Sequence, residues 1–436
     1  MDALGIFGPL LGDAETAELL GDRASARAMV EIEIALARVE GRLAVIDPAA
    51  AETIATALAG FTPDAADLVR GTATAGVPVP ALVAQLRRQV GGEAGGLVPW
   101  GATSQDIVDT ALVLQLRDVL ALLGRRLDEV LALLARLADA HRATPMLGRT
   151  RFQQAVPTTF GLKVAGWLVP LLRHRERLRE LRPRLLLVQL GGAAGNLAAL
   201  GEAGVAVMQE LAAELGLGCP PLPWHNQRDG LAELASWLSL VTGSLGKLGL
   251  DVLLLAQNEV GEVREAEGGG SSTMPQKSNP IRAEALVALA RRNATLLGAM
   301  HGAMAHAHER DGTSWQLEWL TLPDMVTAAA AALTHAQVLL RTLVVDVGRM
   351  RANLDASLGL FLAEAASFAL APHLPRAEAQ ALVKAACRDA LKERCDMLEV
   401  LAQRTAAPVD WDRLRRQAEQ PAAADSFIDR ALADLR

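Results

Sequence analysis

The stretch GGGSSTMPQKSNP, residues 268–280, gathers groups able to bind an anion and move a proton. Its glycines let backbone amides approach a negative charge closely. Ser271 and Ser272 add hydroxyls, and Lys277 is the one full positive charge of the stretch. Asn279 followed by Pro280 reads as the N-cap and first residue of a helix beginning IRAEALVALARR, and a helix N-terminus favours negative charge. Such a set suits a loop that holds a carboxylate and transfers a proton beside it. The same composition also suits a plain interhelical loop followed by a capped helix. The spacing of a phosphate-binding Walker loop is absent.

Three other regions carry related chemistry. In GATSQDIVDTAL (101–112), Thr103, Ser104 and Gln105 precede a helix whose first turn holds Asp106, with Asp109 about one turn on. These neutral donors suit a carboxylate, and equally an ordinary helix cap. In LGRTRFQQAVPTTFGLK (147–163), Arg149 and Arg151 flank Thr150, and Gln153 and Gln154 follow. Guanidinium groups there suit bidentate carboxylate binding, or a solvated basic loop with a Pro-Thr-Thr turn. HNQRDGLAE (225–233) and HAHERDGTSWQLEWL (306–320) pair His225 with Arg228 and His308 with Arg310, as anion ligands or helix-end ion pairs.

No metal site is expected. His306, His308 and Glu309 depart from H-E-x-x-H spacing, and no cysteine lies nearby. Trp315 and Trp319 read as core or pocket wall. No G-x-S-x-G elbow and no dinucleotide glycine fingerprint occur, and the absence of tyrosine rules out a tyrosine acid or base.

The elements that must position these groups are helices. In VLALLGRRLDEVLALLARLADAHRA (119–143) apolar residues recur every three or four positions. Two proline-free runs, Leu231 to Glu265 and Ile281 to Leu322, predict very long helices, the first about 50 Å at about 1.5 Å per residue. Alternating strand patterns are scarce, so the expected fold is all-α. Its long helices, apolar on more than one face, call for an elongated bundle shared between subunits. Breakers suggest three segments: an N-terminal helical domain 1–100, a central long-helix bundle 101–345 and a C-terminal helical domain 346–436.

Composition narrows the class. With 51% hydrophobic and 21% charged residues the chain is globular, and a net charge of −7 argues against a nucleic-acid partner. Cys219, Cys387 and Cys395 read as reduced, buried thiols of a cytoplasmic protein. MDALGIFGPLLGDAE lacks signal-peptide features, and no uncharged apolar stretch reaches the roughly 18 residues of a membrane span, so a soluble protein without a membrane partner is expected.

GGGSSTMPQKSNP resembles the G-S-S-x-M-P-x-K-x-N-P loop of the fumarase/aspartase (argininosuccinate lyase) superfamily. GATSQDIVDTAL and GRTRFQQAVPTTFG match that superfamily's other two active-site stretches, in the same order. WGATSQDIVDTALVLQLRD, WHNQRD, LLAQNEVGEV and HERDGTSWQLEWL are most similar to its branch of bacterial 3-carboxy-cis,cis-muconate cycloisomerases. The adenylosuccinate lyase branch usually has a His-Asp pair where this chain reads LVRGTATAGVPVP (68–80).

The resemblance implies a homotetramer with a long central helical bundle, each active site assembled from three subunits. It implies no metal, no organic cofactor and a small tricarboxylate substrate. By the family pattern Ser271 transfers the proton, Lys277 and Asn279 complete the catalytic set, and Thr103 and Ser104 bind a carboxylate. Gln105, Arg149, Thr150, Arg151, Gln153, His225, Ser272, Met274 and Arg310 make up the rest of the expected substrate-binding set. The implied reaction closes a lactone through an enediolate. The alternative is a lyase of the same superfamily that eliminates a group from a substituted succinate to give fumarate. A catalytically silent structural protein is a third class, against which Ser271, Lys277 and Asn279 stand. Arg151 occupies a position where many of these lyases place histidine, and Pro99 another where the cycloisomerase branch often does.

Overall fold

In the computed structural model, residues 5–266, 268–270, 274, 277–433 and 435 are described. Helices dominate, and the five longest among the described residues are α1 (Ser104–Ala140), α2 (Phe160–Leu185), α3 (Asp229–Leu255), α4 (Ile281–Gly302) and α5 (Gly312–Thr342). Among the described residues six short strands accompany them: β1 (Pro145–Thr150), β2 (Gln153–Thr159), β3 (Val263–Glu265), β4 (Gly269–Gly270), β5 (Ser278–Asn279) and β6 (Leu343–Val345). They pair antiparallel as β1–β2, β3–β6 and β4–β5. The fold is all-α in class, with these three ribbons as accessories.

The chain divides into two compact units. The first comprises Met1–Arg126, His174–Gly243 and Leu289–Leu333, and the second Leu127–Arg173, Ser244–Ala288 and Thr334–Arg436. In the first, helix Asp22–Arg42 places Ile32, Leu36 and Val39 on one stripe by its three- and four-residue steps. They join Ile54, Leu58, Leu82, Leu86 and Leu211 in one core. Gly41 allows helix Pro48–Leu58 to approach closely, since a Cβ there would stand 2.4 Å from the Ala51 methyl. In the second unit Leu362, Leu370, Val383, Met397 and Leu401 form a separate core among the C-terminal helices.

Several elements differ from their sequence-based expectation. The stretch 147–163, open in sequence between carboxylate-binding arginines and a basic loop, is hairpin up to Thr159 and the first turn of α2 after it, because 145–150 and 153–159 pair antiparallel with a register shift between Leu147 and Arg149. Arg151 and Phe152 turn it with φ of 50° and 64°. The run from Leu231 does not continue to Glu265; α3 ends at Leu255, and Gly261 (φ 63°) redirects the chain into β3. The run from Ile281 to Leu322 is two helices, broken at 303–311, where Asp311 accepts from the Thr313 amide and caps α5. Pro323 is accommodated inside α5.

Asn279 is not the cap of α4. It lies in β5, and the helix starts at Ile281 with the Glu265 carboxylate accepting the Arg282 and Ala283 amides at 3.3 and 2.9 Å. The cysteines are free, but not buried as expected: Cys219 is exposed, and Cys387 and Cys395 are intermediate. α3 is long and apolar enough to cross a membrane by length and composition alone, although it carries Glu233, Lys247 and Asp251. Its Leu234, Leu238, Val241, Leu245 and Val252 are buried inside the protein.

Candidate active site

In the first unit the TSQD stretch becomes the N-terminus of α1. Thr103 precedes it, and Asp106 in its first turn accepts the Thr103 amide at 2.9 Å, closing the turn from the helix side. Asp106 also accepts the Gly191 and Gly192 amides and lies 2.7 Å from His225 Nε2. Arg310, from the connection before α5, donates Nη1 to the Thr103 hydroxyl at 2.6 Å and to the Ala193 carbonyl at 3.4 Å. Its other guanidinium nitrogens have no partner among the described residues. A guanidinium seated on a hydroxyl, with its remaining donors turned outward, is suited to receive a carboxylate.

Below this lies a buried charge network. Arg228, 2% exposed, donates to Asp109 at 2.6 and 3.1 Å and to both oxygens of Glu318 at 2.8 and 2.5 Å. Burial opposes its charge, but Asp109 and Glu318 outweigh that and hold the guanidinium protonated beyond its ordinary value. Trp315 donates its indole N–H to Asp109 at 3.0 Å and stacks edgewise on Trp319 with ring centroids 4.6 Å apart. The Arg228 guanidinium also lies over the Trp224 ring, 4.8 Å from its centroid. Gln105 is buried, its amide shared between Asp109 and the His225 carbonyl.

In the second unit Arg149 is bonded bidentately to the fully buried Glu262, at 2.9 and 2.7 Å. Asn353 donates to the same carboxylate at 2.8 Å. Lys163, on the first turn of α2, lies 3.8 Å from Asp251. Burial lowers its pKa, with Asp251 acting in the opposite sense. Glu265 is raised by burial, against the lowering effect of the two α4 amides it caps.

The candidates therefore fall in two groups. Thr103, Ser104, Gln105, His225 and Arg310 belong to the first unit, and Arg149, Thr150, Arg151, Gln153, Met274, Lys277 and Asn279 to the second. Thr150 and Gln153 face each other across the hairpin, and they, Arg151, Met274 and Lys277 are exposed. The Lys277 amide donates to the Met274 carbonyl at 2.9 Å, and Asn279 pairs with Gly269. Ser271 and Ser272 lie outside the described residues. Sequence reasoning did not single out Glu262, Lys163, Glu265 or the hub role of Asp106. For Asp106 and Glu262 the one available signal was an acid set among polar neighbours in a TSQD or NEVGE run.

The profile of a protein family described as lyase matches residues 17–293. A 3-carboxy-cis,cis-muconate cycloisomerase of Pseudomonas aeruginosa is 47% identical over 427 residues, covering 95% of this chain and 93% of that one. Among solved structures, the 3-carboxy-cis,cis-muconate lactonizing enzyme of Pseudomonas putida superposes with a TM-score of 0.92 at 41% identity, covering 99% of this chain and 98% of that one. A fumarate lyase from Mesorhizobium sp. BNC1 gives 0.91 at 42% identity, covering 97% and 98%. Similarity over nearly the full length of both partners, together with the three motif stretches, carries the assignment: the chain belongs to the lyase family of the fumarase/aspartase superfamily.

Proposed function

We propose that this protein is a cycloisomerase that converts 3-carboxy-cis,cis-muconate into a carboxymuconolactone. The observation that carries the reading is 47% identity, across almost the whole of both chains, to an enzyme of that name. The first-unit geometry supports it: Arg310 and Thr103 form a subsite for one carboxylate of a polyanionic substrate. In the reaction one carboxylate oxygen adds across a conjugated double bond and closes a five-membered ring. The electron pair moves onto a neighbouring carboxylate as an enediolate, which takes a proton at carbon. Atoms balance without an oxidant or leaving group. Extra charge on the intermediate rewards preorganised donors, the role assigned to Lys277, Asn279 and the Gly268–Gly270 amides. Ser271 is the proton-transferring residue, and Ser104 joins Thr103 at the carboxylate.

Arg149 has a different task. Its two terminal nitrogens are engaged by Glu262, so it acts by fixing β1 rather than by gripping substrate. The working form is a cytoplasmic homotetramer in which three chains contribute to each site, and segments 1–100, 101–345 and 346–436 are its domains. The fumarate lyase among the solved relatives favours one second reading, elimination from a substituted succinate. A substrate panel separates the two. Loss of the diene absorbance of 3-carboxy-cis,cis-muconate supports cycloisomerisation, and fumarate release from substituted succinates without it supports the lyase.

A further inference from the structure

Asp106 is 1% exposed, and its two oxygens accept four hydrogen bonds from three separate stretches of chain. Oδ1 takes the Gly191 amide at 2.9 Å and His225 Nε2 at 2.7 Å. Oδ2 takes the Gly192 and Thr103 amides, both at 2.9 Å. A carboxylate only accepts, so the bond to His225 places the imidazole proton on Nε2 and fixes the ring's orientation. His225 is itself 2% exposed, and its Nδ1 has no hydrogen-bond partner among the described residues. The backbone is shaped for this convergence. A Cβ on Gly191 would stand 2.8 Å from His225 Cε1, and one on Gly192 (φ 67°) would stand 3.0 Å from the Gly101 carbonyl.

Two of the three stretches held by Asp106 are those on which Arg310 rests. Its Nη1 bridges the Thr103 hydroxyl and the carbonyl of Ala193, the residue after Gly192. We infer that Asp106, with His225 as its fixed counterpart, is the positioning residue of the carboxylate subsite, setting Thr103, the 191–193 turn and through them the Arg310 guanidinium. This rests on the reading of Thr103 and Arg310 as carboxylate ligands. Asp106 does not touch the reacting atoms. Its effect reaches substrate through the geometry of its neighbours, and a subsite that grips a carboxylate equally in the ground and transition states sets KM and leaves kcat.

The test compares Asp106→Asn, His225→Gln, His225→Ala, Arg310→Ala and the Asp106→Asn/Arg310→Ala double variant, each checked for native circular dichroism. Asp106→Asn should raise KM for 3-carboxy-cis,cis-muconate about tenfold or more, with kcat within about threefold of wild type. His225→Gln, whose amide can still donate to Asp106, should raise KM less than His225→Ala, which should resemble Asp106→Asn. In the Arg310→Ala background, Asp106→Asn should raise KM by a clearly smaller factor than it does in wild type, because one of the two ligands it positions is gone and only Thr103 remains. Additive effects in the double variant, or a His225→Gln as damaged as His225→Ala, would overturn the inference. A collapse of kcat at unchanged KM in Asp106→Asn would do the same. Nitrogen-15 spectra of histidine-labelled wild type, assigned with His225→Gln, test the pair without substrate. The inference requires a proton on Nε2, and a ring that carries its proton on Nδ1 alone contradicts it. A wild type inactive on carboxymuconate would fail the functional reading alone, since the spectrum still decides the Asp106–His225 pair.

Discussion

Arg149 places both terminal nitrogens on the Glu262 carboxylate, which is wholly buried and also accepts from Asn353. The bond ties strand β1 to the turn between α3 and β3, 113 residues apart in sequence. Removing one member of a buried pair leaves the other without its counter-charge, typically about 3–5 kcal/mol. Arg149→Ala should therefore lower stability by roughly that amount in urea unfolding, and Glu262→Gln somewhat less, since an amide oxygen can still accept. A change within about 0.5 kcal/mol for Arg149→Ala would show that the pair does not hold the hairpin.

Arg228 is the counter-charge of two buried acids, Asp109 and Glu318. Arg228→Lys keeps the charge but cannot span both carboxylates with one planar fork. It should cost about 2 kcal/mol or more, and Arg228→Ala more still. Thermal melts of the two variants check the order. Equal melting temperatures for wild type and Arg228→Lys would mean charge alone suffices.

Arg151 and Phe152 both turn the hairpin in the left-handed region, which side chains other than glycine adopt at a cost of order 1 kcal/mol. Arg151→Gly should stabilise the protein by about 0.5–1 kcal/mol. Denaturant midpoints measure this, and a loss of stability would show that the Arg151 side chain makes a stabilising contact.

Glu33 and Glu40, both buried on helix Asp22–Arg42, have carboxyls pushed up from 4.5 to about 8. Burial is the main cause for each, eased at Glu33 by Arg87 and reinforced at Glu40 by Glu33. Between those two values the folded protein holds protons that the unfolded chain has released. Stability therefore falls as pH rises through this window and is level on either side of it. At about 1.4 kcal/mol per tenfold change in proton affinity, the combined loss is of order several kcal/mol. The Glu33→Gln/Glu40→Gln variant should flatten this slope and be the more stable protein above about pH 8. Urea unfolding at a series of pH values decides, and parallel slopes for the two proteins would refute it.

Much of this molecule was legible because its signals are local. Helical periodicity in 119–143 marks α1, and GGGSSTMPQKSNP carries its family signature within one loop. What escaped depends on partners far along the chain. Asp106 looked like an ordinary first-turn acid because Gly191 and His225, which give it its role, lie 85 and 119 residues away. The hairpin escaped because its arginines and glutamines read as a solvated loop, while cross-strand pairing decided the outcome. Asn279 and Pro280 carry the usual start signal of a helix, but Glu265, 18 residues before the Ala283 amide, performs the capping. Helix breakage at 303–311 was marked only by Gly302, Asp311 and Gly312, a pattern that leucine-rich flanks concealed.

The proposed chemistry turns on Ser271 acting in a cycloisomerase. The most direct measurement is turnover of 3-carboxy-cis,cis-muconate by wild type and Ser271→Ala side by side, following diene absorbance and identifying the product by proton NMR. The prediction is a lactone from wild type and a rate at least about a thousandfold lower from the variant, with the fold unchanged by circular dichroism. Persistence of the diene with concentrated wild type, or a Ser271→Ala rate within about tenfold of wild type, would contradict the account.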